Sequence, residues 1–257
     1  MEQNHTPITE FDMSLIEDFF RRLPRQGPGS EEATLLALKH TGTLPHDAQI
    51  ADIGCGTGCQ TLTLARHTDA RITALDILPK FVASLNSRAE QEGFCERLCA
   101  IEGTMEALPF RPESLDLIWC EGAIDHIGFE RGLREWMRYL KPGGHIAVTV
   151  FSWLTPERPA AIEKYSADNG IAPLTAQESL RVMEQAGYRP QAHFVLPDTC
   201  WTDNYYQPMN GVIESFLDDH GHSESARYFV DRIREEMDLY DRYGGYFGYI
   251  FYIGRRD

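Results

Sequence analysis

Basic side chains are scarce in this 257-residue chain, which has 24 Lys and Arg against 39 Asp and Glu and a formal net charge of −15. This balance argues against a nucleic acid or an anionic membrane surface as the partner, because both need a basic footprint. No apolar run reaches the roughly 18 residues of a membrane-spanning helix. The polar N-terminus also lacks the apolar segment of a secretory leader. We therefore expect a cytoplasmic protein without membrane insertion.

Cysteine is also infrequent, with six residues at positions 55, 59, 95, 99, 120 and 200. These are too few for the dense disulfide framework of a small secreted domain. Cys55/Cys59 and Cys95/Cys99 share a C-x3-C spacing that could suggest metal binding. No cluster of histidines accompanies either pair, so we expect reduced thiols and no metal.

Strand and helix patterns alternate along the middle of the chain. Apolar runs typical of strands occupy residues 49–53, 71–76, 98–103, 115–122, 145–151, 192–197 and 245–254. Helical patterns follow the early strands, over about 58–67, 79–93 and 129–140, and a capping box opens another helix at Thr175. Strands separated by helices predict parallel βαβ units in a doubly wound α/β sheet.

Two segments lie outside this alternation. An amphipathic helix over 13–23 is followed by the helix-breaking sequence PRQGPGS and a second helix capped by Ser30. Residues 198–243 contain two further amphipathic patterns before the last strand. We predict one domain over 1–257, with N-terminal helices over 1–47, a cofactor-binding core over 48–152 and a substrate side over 153–257. The N-terminal helix and the 198–243 insertion are expected to form a lid.

The sequence IADIGCGTGCQ places Gly54, Gly56 and Gly58 at every second position between a strand and a helix. Such a turn needs a bare backbone, which indicates close approach of a ligand. The dinucleotide fingerprint G-x-G-x-x-G/A requires Gly or Ala at position 59, where this chain has Cys59. A P-loop is excluded because no G-K-S/T follows. Asp52 suits a cationic group, such as the ammonium of an amino acid, better than a pyrophosphate.

The sequence DIGCGTG (52–58) resembles motif I of the class I S-adenosylmethionine-dependent methyltransferases. Other landmarks of that family follow in order: ALDILP (74–79), GTMEALPF (103–110), LDLIWCEGAIDHI (115–127) and LKPGGHIAV (140–148). The resemblance covers about residues 48–152 and is greatest to small-molecule enzymes of the ubiquinone and menaquinone biosynthesis type. It implies a Rossmann-like, mostly parallel sheet of seven strands whose last strand is antiparallel.

The resemblance implies S-adenosyl-L-methionine as the cofactor and places Asp76 on its ribose hydroxyls. Thr104 stands where the family commonly has Asp, so Glu106 or a backbone carbonyl would take over the contact to adenine. Amides of the sequence QGPG would close over the cofactor from the N-terminal side. The complete predicted cofactor set is Gln26, Gly27, Asp52, Gly54, Cys55, Gly56, Gly58, Asp76, Ile77, Thr104, Met105, Glu106 and Cys120.

The expected reaction is methyl transfer to a small-molecule acceptor by in-line displacement. His126 is the first candidate for a general base because its pKa suits proton transfer near neutral pH, and Glu121 and Tyr165 are weaker candidates. An acceptor pocket is predicted from the aromatic residues Trp153, Tyr165, Trp201, Tyr205 and Tyr206.

Several questions stay open at the level of sequence. The alternatives are a non-catalytic protein that binds S-adenosylmethionine as a sensor or interaction module and, less favoured, a nicotinamide-dependent oxidoreductase. The sequence does not decide whether O, N, C or S is methylated. It also does not decide between a monomer and a homodimer.

Overall fold

One sheet of eight strands organises residues 12–257, the part of the chain that the computed structural model describes. Residues 1–11, the start of the predicted lid segment 1–47, lie outside it. The strands are Gln49–Ile53 (β1), Arg71–Asp76 (β2), Leu98–Glu102 (β3), Leu115–Cys120 (β4), Leu140–Trp153 (β5), Leu174–Thr175 (β6), Tyr188–Val195 (β7) and Phe247–Arg256 (β8).

The strand order is β3-β2-β1-β4-β5-β8-β7, and the two-residue β6 pairs with β5 beside this path. Strand β8 runs antiparallel to both β5 and β7, whereas the other pairs are parallel. This confirms the expected mostly parallel sheet with an antiparallel last strand, to which the structure adds β6.

Helices cover the sheet and close its edges. They are Met13–Arg21 (α1), Glu31–Lys39 (α2), Cys59–His67 (α3), Pro79–Gln91 (α4), Phe129–Trp136 (α5), Ala160–Asp168 (α6), Ala176–Gln185 (α7), Thr199–Trp201 (α8), Gln207–Asp219 (α9) and Glu224–Tyr243 (α10). The predicted caps are present: the Ser30 hydroxyl accepts from the Ala33 N–H, and Thr175 and Glu178 form a capping box. None of these helices combines the length and the apolarity needed to cross a membrane.

Each face of the sheet packs into its own apolar cluster. Successive residues of β1 alternate between the faces: Ile50 belongs to one cluster and Ala51 to the other. This is the period-two geometry of a strand that is covered on both sides.

The structure differs from the predicted elements in two places. The sequence KPGG, which precedes the predicted strand 145–151, lies within β5, where the register shifts between Leu115 and Leu117 of β4. Gly143 takes a φ of +79° there, so this segment is an irregularity inside the strand. Residues 199–206, a polar stretch at the start of the 198–243 insertion, form α8 and a π-helical turn that leads into α9. Strong aromatic packing there outweighs the polar composition.

The N-terminal helix α1 is an integral part of the core. Phe19 has no exposed surface and contacts Phe216 of α9 edge to face, with ring centroids 5.2 Å apart. It meets Phe229 of α10 in the same way at 5.3 Å. The helix therefore packs against the 198–243 insertion, and the two form a wall of the molecule together.

Candidate active site

A cavity of about 640 Å³ opens beyond the carboxyl ends of β1, β2 and β4. Ligands bind at this edge in doubly wound sheets because the strand ends and helix starts converge there. The cavity extends from the glycine turn to the aromatic residues of the insertion. Of the predicted site residues, the following line it: Gln26, Gly27, Gly54, Cys55, Gly56, Asp76, Ile77, Thr104, Met105, Glu106, Glu121 and His126.

The glycine turn is closely packed on its protein side. Gly54 and Gly56 have φ values of +73° and +56°, a region that L side chains rarely adopt. A Cβ on Gly54 would collide with the Cβ of Ala123, and one on Gly56 would lie 2.5 Å from Gln26 Oε1. The sequence therefore needs glycine at both positions to bring the backbone to the cavity wall.

All five N–H groups of the turn are bonded within the protein. Those of Gly54 and Cys55 donate to the Leu75 carbonyl at 2.8 and 2.9 Å. The Gly56 N–H donates to Asp76 Oδ2 at 2.8 Å, and the Thr57 N–H to Gln26 Oε1 at 2.8 Å. The Gly58 N–H donates to the Cys55 carbonyl. The turn thus offers no free N–H cradle for a phosphate.

Asp76 ends β2 and faces the cavity beside the glycine turn. Its Oδ1 accepts from the Leu78 N–H at 2.9 Å and its Oδ2 from the Gly56 N–H, so the carboxylate is held in one orientation. Burial raises the pKa of Asp76 above its ordinary value, and the backbone hydrogen bonds oppose this. A carboxylate oxygen can accept more than one hydrogen bond, so both oxygens remain able to receive hydroxyl groups.

The loop between α1 and α2 closes the cavity from the N-terminal side. Gln26 is fixed by four hydrogen bonds, since its Nε2 also donates to the carbonyls of Phe20 and Leu23. Arg25, which the sequence analysis did not identify, forms a buried ion pair with Glu121, with 2.6 Å between Nη2 and Oε2.

Glu121, predicted as a second candidate base, is fully engaged with protein partners. Its Oε1 accepts from the Thr34 hydroxyl at 2.7 Å and from Trp119 Nε1 at 2.9 Å, while Oε2 receives Arg25. The arrangement makes this carboxylate an anchor for the N-terminal loop. A role in accepting a proton would require these contacts to break.

The loop after β3 forms another wall. Trp136 Nε1 donates to the Met105 carbonyl at 3.0 Å, and the Thr104 hydroxyl accepts from the Glu106 N–H at 3.3 Å. Glu106 is ion-paired with Arg131 at 2.8 Å on the exposed side. Ile77, next to Asp76, leaves 61% of its surface exposed at the cavity. These residues supply backbone carbonyls and an apolar surface suited to a flat ring.

Three predicted residues stand behind the cavity wall. Asp52 has no exposed surface, and its Oδ2 accepts from Thr61 Oγ1 at 2.5 Å and from Gln60 Nε2 at 3.2 Å, while its Oδ1 has no partner among the described residues. Burial raises the pKa of Asp52 to about 7. Gly58 is the N-cap residue of α3 and lies against Leu85, and Cys120 is fully buried at the end of β4. Any contribution of these three to binding is through the turn that they support.

His126 and Asp125 lie side by side in the short helical turn after β4, and both line the cavity. Enclosure by the cavity lowers the pKa of His126 below its ordinary value, although the Asp76 carboxylate opposes this. Burial raises the pKa of Asp125 to about 7. Its Oδ2 accepts from the Phe151 N–H at 3.0 Å, which fixes the carboxyl group.

The far half of the cavity is aromatic. Tyr165, Trp201, Tyr205 and Tyr206 line it as predicted, joined by Phe151, Phe247 and Tyr249 from the sheet. Trp153 does not; it packs under the Arg158 guanidinium, 4.6 Å from its ring centroid.

Glu236 of α10 also lines this half and was missed by the sequence analysis. A signal for it exists in the sequence. Glu236 lies three residues after Ile233 and four before Tyr240, which places a carboxylate on the apolar face of the helix.

The cysteines do not form disulfides, and residues 12–257 contain no group of three His, Cys, Asp or Glu side chains placed to hold a metal ion. Cys55 lies in the turn and Cys59 accepts a long contact from Arg25 Nη1 at 3.4 Å.

Comparison with known proteins identifies the core. A family model described as "Methyltransferase domain" matches residues 51–148, which include the end of β1, all of β2 to β4 and the first part of β5. The 27-O-demethylrifamycin SV methyltransferase of Amycolatopsis mediterranei is 27% identical over 63% of this chain and 62% of that protein. The chain therefore spans less than two thirds of this relative's length.

Solved structures share the fold over most of the chain. One is geranyl diphosphate C-methyltransferase of Streptomyces coelicolor, crystallised with S-adenosyl-L-homocysteine. The match covers 87% of this chain and 78% of that enzyme's chain, with a TM-score of 0.62 and 17% identity. The match to the [4+2]-cyclase SpnF covers 88% of this chain and 80% of the SpnF chain, with a TM-score of 0.71 and 20% identity. The family match identifies residues 51–148 as a methyltransferase domain, and the sheet topology agrees with the Rossmann-like fold that the class I resemblance implies.

Proposed function

We propose that this chain transfers the methyl group of S-adenosyl-L-methionine to a small-molecule acceptor by in-line displacement, with release of S-adenosylhomocysteine. The observation that carries the proposal is the glycine turn, whose N–H groups are all bonded within the protein while its backbone lines the cavity. Dinucleotide sites use such N–H groups to hold a pyrophosphate. This turn is suited instead to a nucleoside without phosphate.

The residues around the turn fit that nucleoside. Asp76 presents an oriented carboxylate with room for further hydrogen bonds, as two ribose hydroxyls require. Thr104, Met105 and Glu106 form the wall on which an adenine ring would rest. Arg25 and Glu121 line the same cavity as an ion pair, and we assign the amino-acid part of the cofactor to their neighbourhood.

When bound, the cofactor supplies a methyl group activated by a positively charged sulfur, and this is the difficult part of the chemistry. The protein's task is then to hold the acceptor in line and to exclude water. Correct placement of two reactants contributes up to ~7–11 kcal/mol of barrier lowering. The aromatic walls beyond Asp125 provide a dry surface for that placement.

An acceptor that must lose a proton finds two groups beside it. Burial favours the neutral form of His126 by lowering its pKa, and a neutral imidazole can take a proton on a ring nitrogen. Asp125 has Oδ2 occupied by the Phe151 N–H, so Oδ1 is the oxygen available to the acceptor. We assign His126 the role of general base and Asp125 that of a hydrogen-bond acceptor for the methyl acceptor, through Oδ1.

The experiment that tests the cofactor is thermal unfolding with S-adenosylmethionine, S-adenosylhomocysteine or NAD. Each is added at about a hundred times a plausible dissociation constant, where binding to the native state adds roughly 2.7 kcal/mol. For a protein of this size we expect the sulfur nucleotides to raise Tm by about 5–10 °C. NAD is expected to leave Tm unchanged. A shift with NAD alone would contradict the proposal.

Asp76→Asn provides the matched test of the site. Loss of the charged acceptor is expected to weaken S-adenosylhomocysteine binding about tenfold or more, since a hydrogen bond to a charged group contributes about 1.5–3 kcal/mol. The control is Glu102→Gln, which changes an exposed carboxylate at the same level of the neighbouring strand β3, outside the cavity. Equal affinities of the two variants would argue against the assignment of Asp76.

Methyl transfer itself is tested by the formation of S-adenosylhomocysteine in the presence of an acceptor library. Product formation separates an enzyme from a protein that binds the cofactor as a sensor. Binding without turnover of any acceptor would favour the sensor.

A further inference from the structure

The acceptor half of the cavity is a box of mutually packed rings. Trp201 lies 5.1 Å from Tyr249 and 6.1 Å from Tyr206 between ring centroids, and Tyr206 lies 5.3 Å from Tyr205. These rings come from the helical insertion and from β8. Because each ring contacts its neighbours, the rings form a preformed aromatic wall of the cavity.

One carboxylate stands among these rings. Glu236 Oε2 accepts from the Tyr165 hydroxyl at 3.1 Å, and its Oε1 accepts from the Tyr206 hydroxyl at 3.2 Å. The residue is partly accessible and lines the cavity. Burial raises the pKa of Glu236, and the two tyrosine hydroxyls oppose this.

Glu236 has no cationic partner within ion-pair distance among residues 12–257. Arg232, one helical turn earlier, is close enough to stabilise the charge weakly but is ion-paired with Glu235. A carboxylate removed from water without a counter-ion is costly. A ligand that carries a positive charge would remove that cost.

The charge of the whole lining has the same sign. Its acidic members are Asp76, Glu106, Glu121, Asp125 and Glu236, of which Glu106 is ion-paired with Arg131. Its one arginine among the described residues, Arg25, is neutralised by Glu121. No described lysine lines the cavity. The chain as a whole carries a net charge of −15, which adds a negative field. An anionic acceptor would meet repulsion here.

We propose that the acceptor carries a protonated basic nitrogen, which binds the Glu236 carboxylate within the ring box of Tyr165, Trp201, Tyr205, Tyr206 and Tyr249. Aromatic faces attract an ammonium group, and a carboxylate among them adds an ion pair. This rests on the proposed function, since it assigns a substrate class to the acceptor half of the same cavity. The ammonium group is the anchor, and it orients the rest of the molecule toward Asp125 and the cofactor half.

A series of three probes with one skeleton tests the proposal without knowledge of the natural acceptor. Phenethylamine, 2-phenylethanol and 3-phenylpropanoate are titrated by calorimetry into protein saturated with S-adenosylhomocysteine at neutral pH. We expect the amine to bind about tenfold tighter than the alcohol or more, because a desolvated cation–π contact and an ion pair exceed about 1.4 kcal/mol. The carboxylate is expected to bind most weakly.

Glu236→Gln keeps the shape of the side chain and removes its charge. One oxygen remains to accept from a tyrosine hydroxyl, and an NH2 group replaces the other oxygen. We expect it to lower the affinity for phenethylamine about tenfold and to leave that for 2-phenylethanol within about threefold. The control Asp238→Asn makes the same charge change on the exposed face of α10 and is expected to preserve the preference for the amine. If the Gln variant does not fold, the probe series on the unmodified protein still decides.

The outcomes separate the two proposals. Equal binding of the three probes, tighter binding of the carboxylate, or no binding of the amine overturns the amine anchor while S-adenosylhomocysteine binding leaves the proposed function standing. Amine binding that Glu236→Gln does not weaken also overturns it. Failure of S-adenosylhomocysteine to bind overturns the proposed function whatever the amine does.

Discussion

Arg25 and Glu121 are joined by a buried ion pair, 2.6 Å from Nη2 to Oε2, although 96 positions separate them in the sequence. Arg25 belongs to the loop between the first two helices, and Glu121 follows β4. The pair therefore ties the N-terminal loop to the edge of the sheet at which the cavity opens. Both side chains are almost without solvent contact, so each is the main compensation for the other's burial.

Arg25→Met is expected to lower the free energy of unfolding by about 3–5 kcal/mol. It leaves the Glu121 carboxylate buried without its counter-ion, and this is the costly way to break such a pair. Chemical denaturation measures the change. The control Arg21→Met removes an exposed guanidinium 3.4 Å from Asp18, and its expected cost is below about 1 kcal/mol. Similar losses for the two variants would show that the buried pair has no special part in stability.

Gly56→Ala and Gly211→Ala are expected to change stability in opposite directions. At position 56 the φ of +56° and the proximity of Gln26 Oε1 make a methyl group costly, by about 2 kcal/mol or more. Gly211 lies in α9 with open space around the position of a Cβ, and alanine there is expected to add about 0.5–1 kcal/mol.

Thermal and chemical denaturation of both glycine variants provide the measurement. The Gly56 variant is also expected to lose affinity for S-adenosylhomocysteine, because the turn must move away from Gln26. A Gly56 variant with unchanged stability would mean that the loop yields easily.

The raised pKa of Asp52 predicts that the stability of the fold depends on pH. Its pKa is raised from 3.8 to about 7 in the folded protein, so between these values the folded state binds more protons than the unfolded state. Stability from this group is then fully present below about pH 4 and falls as pH rises toward 7. Asp52→Asn removes the titration. Its free energy of unfolding relative to the parent is expected to rise by about 3 kcal/mol between pH 5 and pH 8.

Denaturation of both proteins at several pH values tests this, with the exposed Asp47→Asn measured alongside as the control. A difference between Asp52→Asn and the parent that stays constant with pH would place the carboxylate in a more polar setting than its burial indicates.

The sequence predicts the core of the fold well because its signals there are local. The bounds of β1 and β2 match the predicted 49–53 and 71–76, where apolar runs end at glycine or at a polar residue. The capping box at Thr175 and Glu178 is equally local. Hydrogen bonds in such elements join residues that lie close along the chain, and composition is enough to indicate them.

The aromatic half of the cavity could be predicted only in part, because its walls meet through tertiary packing. The aromatic residues were expected near the acceptor, but Tyr249 of β8 and Glu236 of α10 reach the same space only through the sheet order and the packing of the insertion. Trp153 shows the converse, since its ring turns to Arg158. Arg25 was missed for the same reason, as its partner lies on a distant strand.

The position of β8 has a consequence for the order in which the chain can fold during synthesis. Residues 247–256 are made after the other seven strands, yet they lie between β5 and β7. Until they leave the ribosome, β5 keeps an open edge and β7 has no neighbour. The half of the sheet formed by β1 to β4 can pair earlier, through short connections that close at little entropic cost. The part of the cavity at the glycine turn can thus form on a nascent chain, while the ring box is completed only after residues 247–256 have been made.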